Sequence, residues 1–324
     1  MTTPEIPLLA VEDLSVEFRT RDGIVRALDG VSFTVGRGET VGVVGESGSG
    51  KSVTALAILG ILHPAARVTS GRVVFGGLDL LRAGEGTLRE YRGRELSMIF
   101  QNPRTALNPI RPVGRQIEDV LRRHANLPSA HVRERALTLL ARVQIADPAR
   151  AYHAYPFELS GGMCQRVMIA LAVACSPSLL IADEPTTGLD VTTQAAILEL
   201  IEEIAGATRM AMILITHDLA LAGERAHQIV VMHAGHVVET APTAELFASP
   251  RHPYTARLIA STPRPRATLD DLRPIPGTVP DLRGTLPPCR YRSRCERAVA
   301  VCDEPPLPRL AVGNGHTVAC RVPL

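Results

Sequence analysis

Lys51 is the only lysine in the chain; the other 34 of its 35 basic residues are arginine. It closes the run Gly45-Glu46-Ser47-Gly48-Ser49-Gly50-Lys51-Ser52. A compact ammonium on a slim stem can thread past backbone amides to phosphate oxygens, where a planar guanidinium fits poorly. The glycines let those amides approach the phosphates, and the Ser52 hydroxyl suits Mg²⁺. The spacing predicts a nucleoside triphosphate site. Further along, Asp183-Glu184 follows an apolar run at 179–182. Asp183 could support the metal, and Glu184 could take a proton from an attacking water as general base. His217, after another apolar run, could hold the γ-phosphate and Glu184 in register. Ser160-Gly161-Gly162 would open a helix with bare amides, a second anion site. Each of the last three has an ordinary reading alone: a solvated loop start, a surface histidine, a plain helix cap. Their weight comes from the set and its order.

These groups need rigid elements behind them. Residues 8–18 and 31–35 alternate apolar and polar as half-buried strands do. Residues 40–44 enter the glycine-rich loop directly, and 52–62 read as the helix that must follow it. A short strand over 96–100 ends at Gln101. Polar, arginine-rich helices are expected over 113–127 and 130–143, a small helical subdomain at about 102–165 inserted in the core. Residues 160–175 form a helix with Ser160 as N-cap, on which Cys175 is a small core residue. Strands at 179–182, 212–216 and 229–232 flank a helix at 191–205. Strands alternating with helices predict a mainly parallel sheet covered on both faces.

At 324 residues the chain can bury a full α/β core and carry an appendage. A net charge of +2 gives no global pull toward nucleic acid. Aromatics at 3% and the absence of Trp argue against a single-strand stacking surface. The N-terminus shows no signal-peptide pattern, and the longest apolar run, 167–175, is too short for a bilayer. Thiols, metal ligands or redox groups are therefore expected of the six cysteines rather than disulfides.

The ordered set of phosphate loop, Gln101, Leu159-Ser160-Gly161-Gly162-Met163, Asp183-Glu184, Gly188-Leu189-Asp190 and His217 resembles the ATP-binding subunit of an ABC transporter over residues 8 to about 248. The resemblance implies an α/β fold: a P-loop ATPase core, an inserted helical subdomain and, from 249 to 324, a small Cys-rich C-terminal extension. It implies ATP hydrolysis with Mg²⁺, Gln101 meeting Mg²⁺ or water, and Ser160-Gly161-Gly162 capping the ATP of the opposite subunit. The implied partners are a second ATPase subunit, two membrane permease subunits and an extracytoplasmic solute-binding protein, with the chain peripheral on the cytoplasmic face of the inner membrane. An aromatic near Phe18 either stacks on adenine or belongs to the core. Met163 and Cys164 depart from the family signature, and Met163 is common in its peptide importers. Import of di- or oligopeptides is the expected function. Nickel chelates or glycosides are the alternative cargo, and a soluble ABC ATPase of translation or DNA repair the alternative class.

From residue 249 onward prolines are frequent, and Arg264, Arg266, Arg273, Arg283, Arg290, Arg292, Arg294 and Arg297 crowd together. Such a segment cannot bury a core of its own; it is either a tail or something held by a staple. Cys289, Cys295, Cys302 and Cys320 are spaced C-x5-C-x6-C-x17-C, without the tight pair usual for zinc. Four thiolates at wider spacing suit an iron–sulfur cluster at least as well. Zinc with His316 as a ligand, or four plain thiols, stay open. His252-Pro253-Tyr254 resembles the motif that begins the extension of peptide-importer ATPases, where a similar cysteine set holds a 4Fe-4S cluster. The expected role is structural and outside every ATPase motif. The nearby arginines would offset cluster charge, face a permease or lipid, or be solvated.

Overall fold

β-Branched and apolar residues at alternate positions build the first elements, β1 (Leu9–Thr20) and β2 (Gly23–Val35), which pair antiparallel. The computed structural model describes residues 6–262, 274–313 and 315–324. β3 (Thr40–Val44) is buried along its whole length and runs into the phosphate loop. α1 (Lys51–Ile58) follows at once, starting after Gly50 at φ 103°. Its expected continuation to residue 62 fails, because the chain turns at Gly60, φ 64°. β4 (Ala66–Phe75) and β5 (Leu78–Asp79) complete a four-stranded sheet ordered β2-β1-β4-β5.

Residues 83–213 form a second compact unit. It opens with α2 (Glu85–Tyr91), β6 (Leu96–Ile99) and the short α3 (Pro103–Ala106). Then come α4 (Val113–His124), α5 (Ser129–Arg142) and α6 (Pro148–His153). α4 buries Val113, Ile117 and Leu121, each four residues apart, against its neighbours. Inside this apolar layer Glu118 accepts from Tyr152 Oη, while Arg115 and Arg122 each approach its Oε2 to 2.9 Å. α7 (Gly161–Val173) starts at the expected cap, with Ser160 Oγ accepting the Met163 amide at 3.3 Å. Cys175 falls beyond its end. β7 (Leu179–Asp183) pairs parallel with β6. α8 (Val191–Thr208) is capped by Asp190, and β8 (Ala211–Thr216) leads back to the first unit.

The first unit resumes with α9 (Leu219–Arg225), β9 (Gln228–His233), β10 (His236–Pro242), α10 (Thr243–Ala248) and α11 (Pro253–Ser261). β11 (Leu310–Gly313) and β12 (His316–Val318) close the chain. Here the strand order is β11-β12-β10-β9-β3, and β3 and β9 are parallel. The described residues of 249–324, the expected C-terminal extension, share this unit with the phosphate loop. β12 pairs with β10, and Cys289 and Tyr291 pack with Val44, Val231, Tyr254 and Leu258. A proline-rich segment without a core of its own thus borrows one. Among the described residues no helix is long and apolar enough to cross a membrane.

Candidate functional site

The phosphate loop is shaped by what a side chain would strike. At Gly45, φ 153°, a Cβ would lie 2.1 Å from the Met232 carbonyl oxygen; at Gly50 it would lie 2.6 Å from Leu28 Cδ2. Backbone amides therefore line the loop where any other residue would push it open. Lys51 is buried, and its Nζ donates to the carbonyls of Gly45 (2.8 Å) and Glu46 (3.0 Å). Ser52 follows, half-buried in the first turn of α1. The space over Gly48 is clear, and the buried Ser49 Oγ has no hydrogen-bond partner among the described residues. The loop thus offers amides, an ammonium and a hydroxyl, the donor set a triphosphate takes.

In the second unit, buried Asp183 ends β7 and Glu184 turns the chain at φ 45°. That left-handed angle is uncommon for a residue with a Cβ and marks a position held by its surroundings. Glu184 Oε2 accepts Gln101 Nε2 and Thr187 Oγ1, both at 2.9 Å. Gln101 and Glu184 are thus brought together, leaving the Gln101 carbonyl oxygen as the atom that could meet a cation. Gln165 on α7 reaches the loop after the carboxylates, its Nε2 2.6 Å from the Pro185 carbonyl oxygen. Sequence reasoning missed Gln165 and Thr187; a buried Gln one turn after Gly161-Gly162 was the available signal for the first. Gly161 has clear space where a Cβ would stand, and Gly162 meets only Thr193 Cγ2 at 3.5 Å. His217 is exposed just after β8. Asp190 caps α8 through the Thr193 amide at 3.0 Å.

Part of the basic cluster turns inward. Arg290 and Arg294 side chains are 1% and 2% exposed, so these two are not part of a solvated or membrane-facing patch. Arg297 stays exposed, and its charge opposes the burial that raises the Cys295 and Cys320 thiols. Arg294 grips Glu46, inside the phosphate loop, and Tyr254 Oη accepts the Glu46 amide at 3.0 Å. The extension thus reaches the phosphate loop through Arg294 and Tyr254. Arg292 pairs with Asp303, and Arg283 with Asp281; Arg264, Arg266 and Arg273 lie outside the described residues. His316, the rival zinc ligand, is engaged by Glu239 at 2.7 Å.

Among the described residues no three His, Cys, Asp or Glu side chains are gathered as a metal site. Cys289, Cys302 and Cys320 are nevertheless buried and Cys295 is half-buried. Burial pushes the Cys289 thiol up to about 11, against an opposing hydrogen bond from the Tyr291 backbone; Cys320, Cys302 and Cys295 raise it further. The four sulfurs thus share a neighbourhood without forming a closed ligand shell.

The ABC transporter family matches residues 28–187, and the oligopeptide/dipeptide transporter C-terminal region matches residues 238–302. The chain is 47% identical to the dipeptide transport ATP-binding protein DppD of Escherichia coli, with 98% of this chain and 97% of that protein covered. It is 45% identical to the protein of the same name from Bacillus subtilis, over 97% and 94%. Among solved structures, a dimeric ATP-binding cassette MJ0796 in a post-hydrolysis state with ADP and Pi aligns with a TM-score of 0.65 at 26% identity. That alignment covers 72% of this chain and 98% of the other. The chain belongs to the ATP-binding subunits of ABC transporters, in the branch that carries the oligopeptide/dipeptide-transporter C-terminal region, and its activity is that of an ABC ATPase.

Proposed function

We propose that this chain hydrolyses ATP to power import of di- or oligopeptides through a membrane permease, on whose cytoplasmic side it sits. The observation that carries the reading is residues 238–302, which match the peptide-transporter region and whose Tyr254, Leu258, Cys289 and Tyr291 pack into the ATPase unit itself. The phosphates of ATP lie on the amides of Gly45, Glu46, Ser47, Gly48, Ser49 and Gly50, with Lys51 supplying the cationic donor. Ser52, Gln101 and Asp183 would hold Mg²⁺, whose bound charge offsets that of the phosphate oxygens; all three offer oxygen, as a hard cation requires. Glu184 takes the proton of the attacking water. Gln101 and Thr187 fix the Oε2 edge of that carboxylate, and His217 holds it in register with the γ-phosphate. Ser160, Gly161 and Gly162 cap the ATP of a second subunit. A solute-binding protein delivers the cargo.

For the four cysteines we favour a structural iron–sulfur cluster. Cys289, Cys295, Cys302 and Cys320 would hold it, and it would supply cross-links that a proline-rich segment lacks. What supports this is four thiols in one neighbourhood, with His316 already engaged. The function is tested by reconstituting the chain with its permease in proteoliposomes. Di- and tripeptides should raise ATP hydrolysis and enter the lumen. Uptake of nickel chelates or glycosides without peptides would assign the other cargo.

A further inference from the structure

Glu46 is the only acidic residue in the phosphate loop. A carboxylate beside a bound triphosphate repels it unless its charge is offset. Arg294 offsets it from 248 residues away: Nη1 lies 2.7 Å from Glu46 Oε2 and Nη2 2.9 Å from Oε1. This is the bidentate fork of a guanidinium on a carboxylate. The other edges of Arg294 are also used. Nε donates to the Pro276 carbonyl at 2.7 Å, and Nη1 is 3.1 Å from His233 Nε2. The guanidinium has no freedom to follow Glu46 if the loop moves. Burial alone would raise the Glu46 carboxyl, but the Arg294 hydrogen bond and charge outweigh it and hold it below its ordinary value. A second arginine of the segment acts on the other side of the loop. Arg290 donates to the Ala234 carbonyl, and the next residue, Gly235, donates its amide to the Ser49 carbonyl at 2.9 Å.

We propose that Arg294 is a positioning residue for the phosphate loop: it neutralises and fixes Glu46 so that the loop receives the triphosphate. The proposal rests on the reading of residues 45–52 as the ATP cradle. It gives the C-terminal segment a role in nucleotide affinity, whichever groups its thiols bind. A fork that only anchored the segment would act through folding, whereas this one acts through the charge facing the phosphates.

The test measures equilibrium ATP binding and thermal unfolding of the full chain. Arg294→Ala should weaken ATP binding by about tenfold, and by less at high salt, with the rate at saturating ATP changed little. Glu46→Gln alone, which leaves the Arg294 charge uncompensated, should bind ATP more tightly than the wild type, and in Arg294→Ala/Glu46→Gln the affinity should return toward the wild-type value, because neither charge is left. Arg294→Lys, which keeps charge but not the fork, should fall between. If Arg294→Ala does not fold, the double variant and the lysine variant decide. A folded Arg294→Ala with wild-type affinity, or a folded double variant as weak as the single, would overturn the proposal. Lys51→Ala separates the two readings. If it binds ATP as the wild type does, the cradle itself is wrong; if it loses ATP while Arg294→Ala does not, only the role of Arg294 falls.

Discussion

At Glu184 the backbone is held at φ 45°, where a Cβ costs about 1–2 kcal/mol. The cost is offset locally: Gln101 and Thr187 hold the side chain, and the Thr187 amide donates to the Glu184 carbonyl at 3.2 Å. Glu184→Gln keeps the shape of the side chain but cannot accept a proton. Phosphate release should fall on the order of 10²-fold or more, while equilibrium ATP binding stays at the wild-type level. Near-normal turnover would require a different base. A histidine makes the second residue-scale case. His252 is fully buried, and burial, then the charge of His233, push its pKa down to about 3; burial and then Arg294 bring His233 to about 4. Both are therefore neutral in the folded chain and titrate near 6.5 when it unfolds. Their contribution is complete above pH 6.5 and is lost as pH falls from there toward 4 and 3, about 1–2 kcal/mol each by pH 5. His252 Nδ1 also caps α11 by accepting the Tyr254 amide at 3.0 Å. Asn caps equally well, so His252→Asn should flatten the fall in unfolding midpoint between pH 7 and 5. An unchanged pH slope would remove His252 from the account.

Elements built on local rules were legible in the sequence. β3 and β7 are continuous apolar runs, and α7 declares itself through Ser160 and its apolar length. Contacts between distant segments were not. Arg294 and Glu46 carry no mutual signal in the chain, and an arginine run reads as solvated until something shows it turned inward. Nothing in the sequence sets Glu118 on α4 apart from other helical acids, yet it is buried under Tyr152 Oη and two arginines. That knot fixes how α4 meets α6, because Gly114 lies against the Tyr152 ring. A Cβ there would stand 2.1 Å from Tyr152 Cδ2. With the phenol pinned at Glu118 the ring cannot swing away cheaply. Gly114→Ala should cost about 1–3 kcal/mol in denaturant unfolding, a typical overpacking penalty. Gly161→Ala, also helical but facing clear space, should cost far less. Equal losses would mean that packing at Tyr152 is not the cause. For the cysteine segment, spacing announced a shared neighbourhood, and the structure shows mutually acting thiols but no closed shell. Anaerobic purification should yield iron and sulfide in stoichiometric amounts with a visible charge-transfer spectrum. Stoichiometric zinc without sulfide, or neither, would give the site to the other readings.

For the molecule as a whole, one unit carries the phosphate loop with the C-terminal segment, and the other carries Gln101, Glu184 and the start of α7. The α7 start is the part that a single chain leaves without an assignment. Its first amides are helix N-terminal donors with no intrahelical acceptor. Ser160 Oγ is engaged by the Met163 amide, and a Cβ at Gly161 would meet nothing within 4 Å. Such a terminus, 13 residues of helix behind it, attracts an anion. The family resemblance gives that anion as the ATP of a second subunit, and MJ0796 with ADP and Pi is a dimer. Hydrolysis should therefore need two chains. At low concentration the specific ATPase activity of the purified chain should be small, then rise with concentration and level off as pairs form. If the natural partner is a different subunit, adding it should raise the activity where more of this chain does not. Light scattering on the same samples reports the mass. Full activity that is independent of concentration, in a sample of proven monomer, would show that the α7 terminus serves something other than a partner's phosphates.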